Sequence, residues 1–167
     1  MGSQSVNHAF VRGNIYFIFA NYLNEKNLTP VPGSTDLHLT EKDIFVPDGM
    51  VVCDPDKIRY DGVHGAPDLV VEVLSPSTAK YDRGRKKDAY EKCGVREYWI
   101  VDPANKTVEQ YLLQSGKFVL HDTYAILPDW MLGKMKPEER AALVTEFKCS
   151  LYDDLTIHLD DVFARVK

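Results

Sequence analysis

The chain has 167 residues, of which 44% are hydrophobic and 27% charged, and its net charge is −5. This composition is ordinary for a folded protein, and we expect a single domain over residues 1–167. No apolar run is long enough to span a bilayer, and Met1–Ser5 lack the layout of a secretion signal, so we predict a cytoplasmic protein. The acidic balance gives no support for nucleic-acid binding by the chain as a whole, but it is compatible with a local basic rim.

The cysteines exclude two classes of small stabilised domain. Cys53, Cys93 and Cys149 are odd in number, widely spaced and contain no CxxC pair. This pattern argues against a disulfide scaffold and against a cysteine zinc site. We predict three buried thiols without a chemical role.

The N-terminal region predicts one amphipathic helix over residues 8–24, because its apolar residues recur at helical spacing. His8 stands at the start of this helix, where a surface or capping histidine is expected rather than a ligand. Residues 28–43 contain two prolines, a glycine and a short alternating piece, which predicts loops with short strands.

The stretch Pro67–Ser77 predicts a buried central strand. Its alternation places Leu69, Val71 and Val73 on a fully apolar face, whereas Asp68 and Glu72 share the other face. A lone carboxylate in a sheet that excludes water must be protonated, pair with a cation or bind a metal.

The neighbouring segments predict the rest of a sheet. Residues 44–53 indicate one strand, carrying Pro47 and Asp48, that runs antiparallel to the central strand, and residues 54–56 indicate a solvated turn. Residues 98–102 follow a helix and predict a parallel neighbour. The remaining expectations are a hairpin (108–113 with 118–121), a helix (136–147) and a closing segment (155–163).

Residues 78–92 predict a helix that ends at Gly94 and presents Lys86 on its inward stripe together with Ala79, Tyr90 and Cys93. An inward lysine needs a carboxylate, and the preceding strand supplies one. A lysine that only snorkels along the edge of the apolar face is an equal alternative. A basic rim for phosphate is expected around the same helix, although such charges more often form a solvated face: Lys80, Arg83, Arg85 and Lys87.

Two acidic strands followed by an inward lysine suit a metal site. Asp48, Asp68 and Glu72 offer oxygen ligands to a hard divalent cation, and Lys86 would orient water or neutralise phosphoryl oxygens. Phosphodiester hydrolysis is the reaction that uses all of these parts. As isolated residues, Glu72 and Lys86 are explained better by a buried ion pair that specifies the fold, and only their combination with Asp48 and Asp68 favours a metal site.

The same residues resemble a known family. The segments Val46–Asp48, Ala66–Thr78 with Lys86 and Tyr90, and Gly94–Pro103 are similar to the Uma-two family of restriction-endonuclease-like proteins. The resemblance implies an α/β (α+β) fold with the PD-(D/E)xK nuclease core, a mixed central sheet flanked by helices. It also implies a magnesium- or manganese-dependent endonuclease acting on DNA, with Asp48, Asp68 and Glu72 as metal ligands and Lys86 as a further catalytic residue.

Three points of the resemblance leave alternatives open. Asp48 and Asp68 each follow a proline at a strand start, so either matches the first acid of the motif. The usual lysine two residues after the glutamate is Leu74 here, and Lys86 is the expected substitute. Family members tend to have an acidic segment before the first helix, whereas this chain begins almost at that helix. The alternative is therefore a nuclease fold without catalysis that binds nucleic acid or protein, with a homodimer among the expected assemblies.

Overall fold

The computed structural model describes residues 5–24, 26 and 28–167. Residues 1–4, part of the segment used to argue against a secretion signal, lie outside the described residues. The helices are α1 (Val6–Asn24), α2 (Ala79–Tyr81), α3 (Lys87–Cys93), α4 (Asp129–Leu132), α5 (Pro137–Ala141) and α6 (Leu159–Val162), with a 3₁₀ turn at Pro55–Lys57 and a π-helical turn at Asp82–Lys86. Among the described helices, none has the length and apolar character to cross a membrane.

The strands are β1 (Thr29–Pro32), β2 (Leu37–His38), β3 (Ile44–Phe45), β4 (Gly49–Val52), β5 (Ile58–Arg59), β6 (Gly62–His64), β7 (Leu69–Val73), β8 (Glu97–Asp102), β9 (Thr107–Gln114), β10 (Lys117–Ala125), β11 (Glu146–Lys148) and β12 (Thr156–His158). Six of them form the main sheet in the order β1-β4-β7-β8-β9-β10. Its β7–β8 pair is parallel and its other pairs are antiparallel. The predicted mixed sheet flanked by helices is therefore confirmed.

Strand β7 is the buried centre of this sheet, as the sequence predicts, and all five of its residues are buried. Leu69, Val71 and Val73 pack into a core that includes the inward stripe of α1. Val70 faces the opposite core, with Tyr90 of α3 and Tyr98 of β8. Because side chains alternate along a strand, Glu72 lies on the α3 side of the sheet.

The prediction of a single strand over residues 44–53 is wrong. Ile44 and Phe45 pair with β2 in a separate small sheet of order β3-β2-β6-β5, whereas Gly49–Val52 pair with β1 and β7 in the main sheet. Pro47 lies between the two pieces and has no backbone N–H to donate to either ladder. The chain therefore leaves one sheet and enters the other at Val46–Asp48.

The helix predicted over residues 136–147 is too long. It ends at Ala141, and Glu146–Lys148 form β11, which pairs antiparallel with β12. The alternation around Phe147 is that of a strand, since this ring is buried while its two neighbours are exposed. Phe147 packs between Trp99 and Tyr124, and this contact with the main core outweighs the local helix preference.

A second buried carboxylate, Glu97 at the start of β8, is fully enclosed without a cation among the described residues. It accepts hydrogen bonds from Trp99 Nε1 at 2.6 Å, Gln110 Nε2 at 2.7 Å and the Ser150 backbone N–H at 2.9 Å. These neutral donors join β8, β9 and the segment after β11. Glu97 is therefore a structural hub of the fold, and the sequence pattern did not single it out.

Candidate active site

Lys86 points inward, as its place on the helical stripe predicts. Its Nζ lies 2.9 Å from Glu72 Oε2 and 2.9 Å from Asp82 Oδ1, and its side chain is 12% exposed. Asp82 and Lys86 bound the π-helical turn, which interrupts the helix predicted over residues 78–92. Such turns are rare and occur frequently at functional sites. Lys86 therefore bridges two carboxylates rather than snorkelling to the surface.

Glu72 is a buried carboxyl at the centre of the site, with only 1% of its surface exposed. Tyr90 Oη donates to Glu72 Oε1 at 2.6 Å, while Lys86 Nζ donates to Oε2. Burial raises the pKa of Glu72 against the lowering effect of Lys86, and with the smaller raising effect of the nearby Asp48 charge the pKa reaches about 8. Negative charge at Glu72 is thus costly until another cation arrives.

The pKa of the Lys86 ammonium also reflects the two carboxyl groups that surround it. Burial opposes the charged form, but attraction to Glu72 and Asp82 outweighs burial and leaves the pKa of Lys86 raised. Burial and the adjacent Glu72 also raise the pKa of Tyr90 well above its usual value, so Tyr90 acts here as a neutral hydrogen-bond donor.

Asp48 reaches this cluster from the neighbouring strand. It stands immediately before β4, and its Oδ2 accepts a hydrogen bond from the Val73 backbone N–H at 2.8 Å. That amide belongs to the residue after Glu72, and the charge of Asp48 acts on the Glu72 carboxyl. Asp48 and Glu72 are therefore neighbours at the same end of the β4–β7 pair.

His8 is a site residue that the sequence interpretation missed. It is buried rather than a surface cap, and its Nε2 lies 3.3 Å from Asp48 Oδ2. Its Nδ1 is also buried and has no hydrogen-bond partner among the described residues. The signal was present, because His8 precedes Val11 and Ile15 on the same buried stripe of α1 at the i, i+3, i+7 spacing.

Asp68 is the predicted acid that the structure does not bring to the others. It is four residues from Glu72 along an extended strand, which separates the two by about 13 Å. Its Oδ2 accepts the Cys53 backbone N–H at 2.8 Å, and its Oδ1 lies 3.6 Å from Arg96 Nη1. Asp68 therefore links the two strands at the end of the β4–β7 pair that lies away from Glu72.

The expected basic rim is partly neutralised by neighbouring groups. Arg83 pairs with Glu109 at 2.7 Å, and Arg85 lies 3.8 Å from Asp43. Lys87 Nζ stands 4.0 Å from the centre of the Tyr111 ring, whereas Lys80 is exposed. The rim thus offers the exposed Lys80 and Arg85 and the half-buried Lys87.

The chain matches a known protein family. A family model described as "Putative restriction endonuclease", Uma2, matches residues 1–140. The chain belongs to the Uma2 family. An uncharacterized protein of Synechocystis sp. is 31% identical to it over 148 residues, covering 86% of this chain and 70% of the relative.

A solved structure supports the fold of this Uma2 protein. The crystal structure of "a putative nuclease belonging to DUF820" from Anabaena variabilis matches with a TM-score of 0.69 at 19% sequence identity. The match covers 97% of this chain and 83% of that one. The family and the fold are thus those of restriction-endonuclease-like nucleases, a class that generally uses divalent metals and binds nucleic acid.

Proposed function

We propose that this Uma2 protein is a magnesium- or manganese-dependent endonuclease that hydrolyses phosphodiester bonds in DNA. The observation that carries the proposal is the buried Glu72, held by Lys86 and Tyr90 on one side and next to Asp48 on the other. The family assignment supports the same chemistry.

The donor set fits a hard divalent cation. Asp48, Glu72 and Asp82 provide carboxylate oxygens, and the ammonium of Lys86 compensates only part of their charge. We assign Asp48 and Glu72 as the metal ligands and leave Asp68 outside the set, because Asp68 is bound at the opposite end of the strand pair. A bound Mg²⁺ or Mn²⁺ would supply an acidified water and charge stabilisation at the phosphate.

The protein's own groups have separate roles in this proposal. Lys86 holds its ammonium beside Glu72, where it would orient the attacking water or neutralise a phosphoryl oxygen. Tyr90 and Asp82 fix the Glu72–Lys86 pair from the helix side. His8 touches Asp48 from the α1 side and would orient its carboxylate.

DNA is the polymer that we propose, and this substrate implies a cytoplasmic site of action. Lys80, Arg85 and Lys87 beside the cluster would contact its backbone. We include a homodimer in the proposal, since α1 exposes Phe17 and Tyr16 on its outer face. Light scattering of the purified protein tests the assembly independently of catalysis.

The decisive experiment compares cleavage of plasmid and single-stranded DNA, with Mg²⁺ and with Mn²⁺, by the wild type and by Glu72→Gln. Glu109→Gln is the control, because Glu109 is likewise a carboxylate paired with a basic side chain, although it is half-buried rather than buried. We expect wild type and control to cut and Glu72→Gln to lose at least 100-fold in rate, which is about 2.7 kcal/mol of barrier. Circular dichroism verifies that all three are folded.

Failure of this experiment favours the non-catalytic alternative. If the folded wild type cuts neither substrate with either metal, the endonuclease proposal is wrong for these substrates. Fluorescence anisotropy with the same DNA then tests whether the fold acts as a binding module.

A further inference from the structure

A second cluster of metal-ligating side chains lies in the small sheet, outside the candidate nuclease site. His38 ends β2 and His64 ends β6, and these parallel strands place the two residues directly side by side. Their imidazole rings stack with centres 4.4 Å apart and planes 7° from parallel. Two adjacent imidazoles are thereby presented at the end of one strand pair.

Asp61 completes the cluster from the turn before β6. One of its oxygens, Oδ1, lies 2.9 Å from His64 Nε2. One ligand atom from each of His38, Asp61 and His64 lies within 4.8 Å of the other two. In the described part of the chain, this is the only group of three or more such residues that meets this distance, and Asp48, Glu72 and Asp68 do not meet it.

His38 has a ring nitrogen whose hydrogen-bonding capacity is unused among the described residues. Its Nε2 is buried and has no hydrogen-bond partner among the described residues. A buried nitrogen without a partner loses the hydrogen bond that water would provide, at a cost in free energy. A ligand shared with His64 and Asp61 would remove this cost.

The backbone holds the three residues in place. Gly62 has φ +144°, and a side chain there would meet Asp36 O at 2.4 Å and His38 Cδ2 at 3.2 Å. The Val63 N–H donates to Asp36 O at 2.9 Å, and the Gly65 N–H donates to His38 O at 2.8 Å. The turn that bears Asp61 is therefore packed against the strand that bears His38.

We propose that His38, Asp61 and His64 form a zinc site that cross-links β2 and β6. Two imidazole nitrogens and one carboxylate oxygen suit Zn²⁺, and three protein ligands leave a fourth position for water. Tetrahedral zinc bonds of about 2.0–2.1 Å hold ligand atoms about 3.3 Å apart, so binding requires side-chain movements of up to about 1.5 Å. Asp61 has the freedom for this movement, since its side chain is 62% exposed.

The cross-link would reinforce a short strand pairing. Strands β2 and β6 share only two paired positions, and both belong to the small sheet that flanks the main one. A metal that binds the folded state alone raises stability by mass action. Zinc would therefore order the loops around residues 28–43 and 54–66, independently of the proposed nuclease site.

The test is a zinc titration by calorimetry in excess Mg²⁺, using wild type, His38→Asn, His64→Asn and Asp61→Asn. His121→Asn is the matched control, because His121 is exposed on β10, and Glu72→Gln shows whether zinc binds instead at the nuclease site. We expect one zinc per chain in wild type and in both controls, and at least a tenfold weaker affinity in each cluster variant. Co²⁺ substitution adds a visible absorption spectrum that should disappear in the same variants.

Two outcomes overturn the proposal. One is a folded wild type that takes up no zinc, and the other is a set of cluster variants that titrate like His121→Asn. A thermal melt with and without Zn²⁺ provides a second readout, in which the zinc-dependent rise must be present in wild type and absent in Asp61→Asn. The exposed position of Asp61 keeps this variant informative even if a histidine variant fails to fold.

Discussion

The Asp48 carboxylate accepts a hydrogen bond at 2.8 Å from the backbone N–H of Val73, the residue that follows Glu72. This contact joins the two strands at the level of the buried glutamate. It also distinguishes Asp48 from Asp68, which has an equivalent hydrogen bond at 2.8 Å to the Cys53 N–H at the other end of the pair.

The two aspartates form a natural pair of variants. Both follow a proline, both accept one backbone N–H, and their side chains are 12% and 16% exposed. We expect Asp48→Asn to lower the rate of DNA cleavage by at least 100-fold, because it removes a proposed metal ligand. Asp68→Asn should cut within about threefold of wild type at equal folded concentration. Equal loss in both variants would contradict the assignment of Asp48 alone.

The buried Glu72 predicts a pH dependence of stability without metal. Its pKa rises from 4.5 to about 8 on folding, so the folded state holds a proton that the unfolded state releases between these pH values. The free energy of unfolding should therefore fall from pH 5 to pH 8 more steeply in wild type than in Glu72→Gln. Urea denaturation in EDTA measures this difference.

Because Glu72 holds this proton at low pH, stabilisation of the protein by Mg²⁺ should also depend on pH. Mg²⁺ favours the ionised carboxylate, so its stabilising effect on wild type should be larger at pH 8 than at pH 5. Glu72→Gln should show no such increase. A stabilisation by Mg²⁺ that is equal at both pH values would argue against Glu72 as a ligand.

Removing Lys86 should destabilise the protein through the charges it leaves behind. Lys86→Met leaves Glu72 and Asp82 without their cation, and above pH 8, where the Glu72 carboxyl is ionised, we expect a loss of about 3–5 kcal/mol in the free energy of unfolding. The double variant Lys86→Met with Glu72→Gln should recover part of this loss. Chemical denaturation of both single variants and the double variant measures the coupling, and strictly additive losses would contradict it.

Removing Glu97, the buried carboxylate at the start of β8, should also destabilise the protein. Glu97→Ala removes the shared acceptor of the Trp99, Gln110 and Ser150 donors, of which Gln110 Nε2 keeps a second hydrogen bond to Lys148 O, so we expect a loss of about 3 kcal/mol. Glu109→Ala should cost less, because its partner Arg83 is 43% exposed and water can replace the lost carboxylate there. Thermal and urea denaturation check both, and a small effect at Glu97 would show that the surrounding donors find other partners.

Local pattern alone determined much of this protein. The run of aliphatic residues around Glu72 predicts the central strand because side-chain alternation and burial are properties of a few consecutive residues. The spacing of Ala79, Lys86 and Tyr90 predicts an inward lysine for the same reason, and Gly94 ends the helix with φ +84°, as expected. Family membership also followed from these contiguous motifs.

Only the tertiary structure decided which side chains meet. Asp48 and Asp68 both follow a proline, and it is the antiparallel register of β4 on β7 that brings Asp48 beside Glu72. The burial of His8 depends on how α1 docks on the sheet, and the meeting of His38 with His64 depends on a parallel pairing between strands distant in sequence. These contacts are long-range. They depend on the register between strands, which is set only when the strands pair and is not visible in the local sequence.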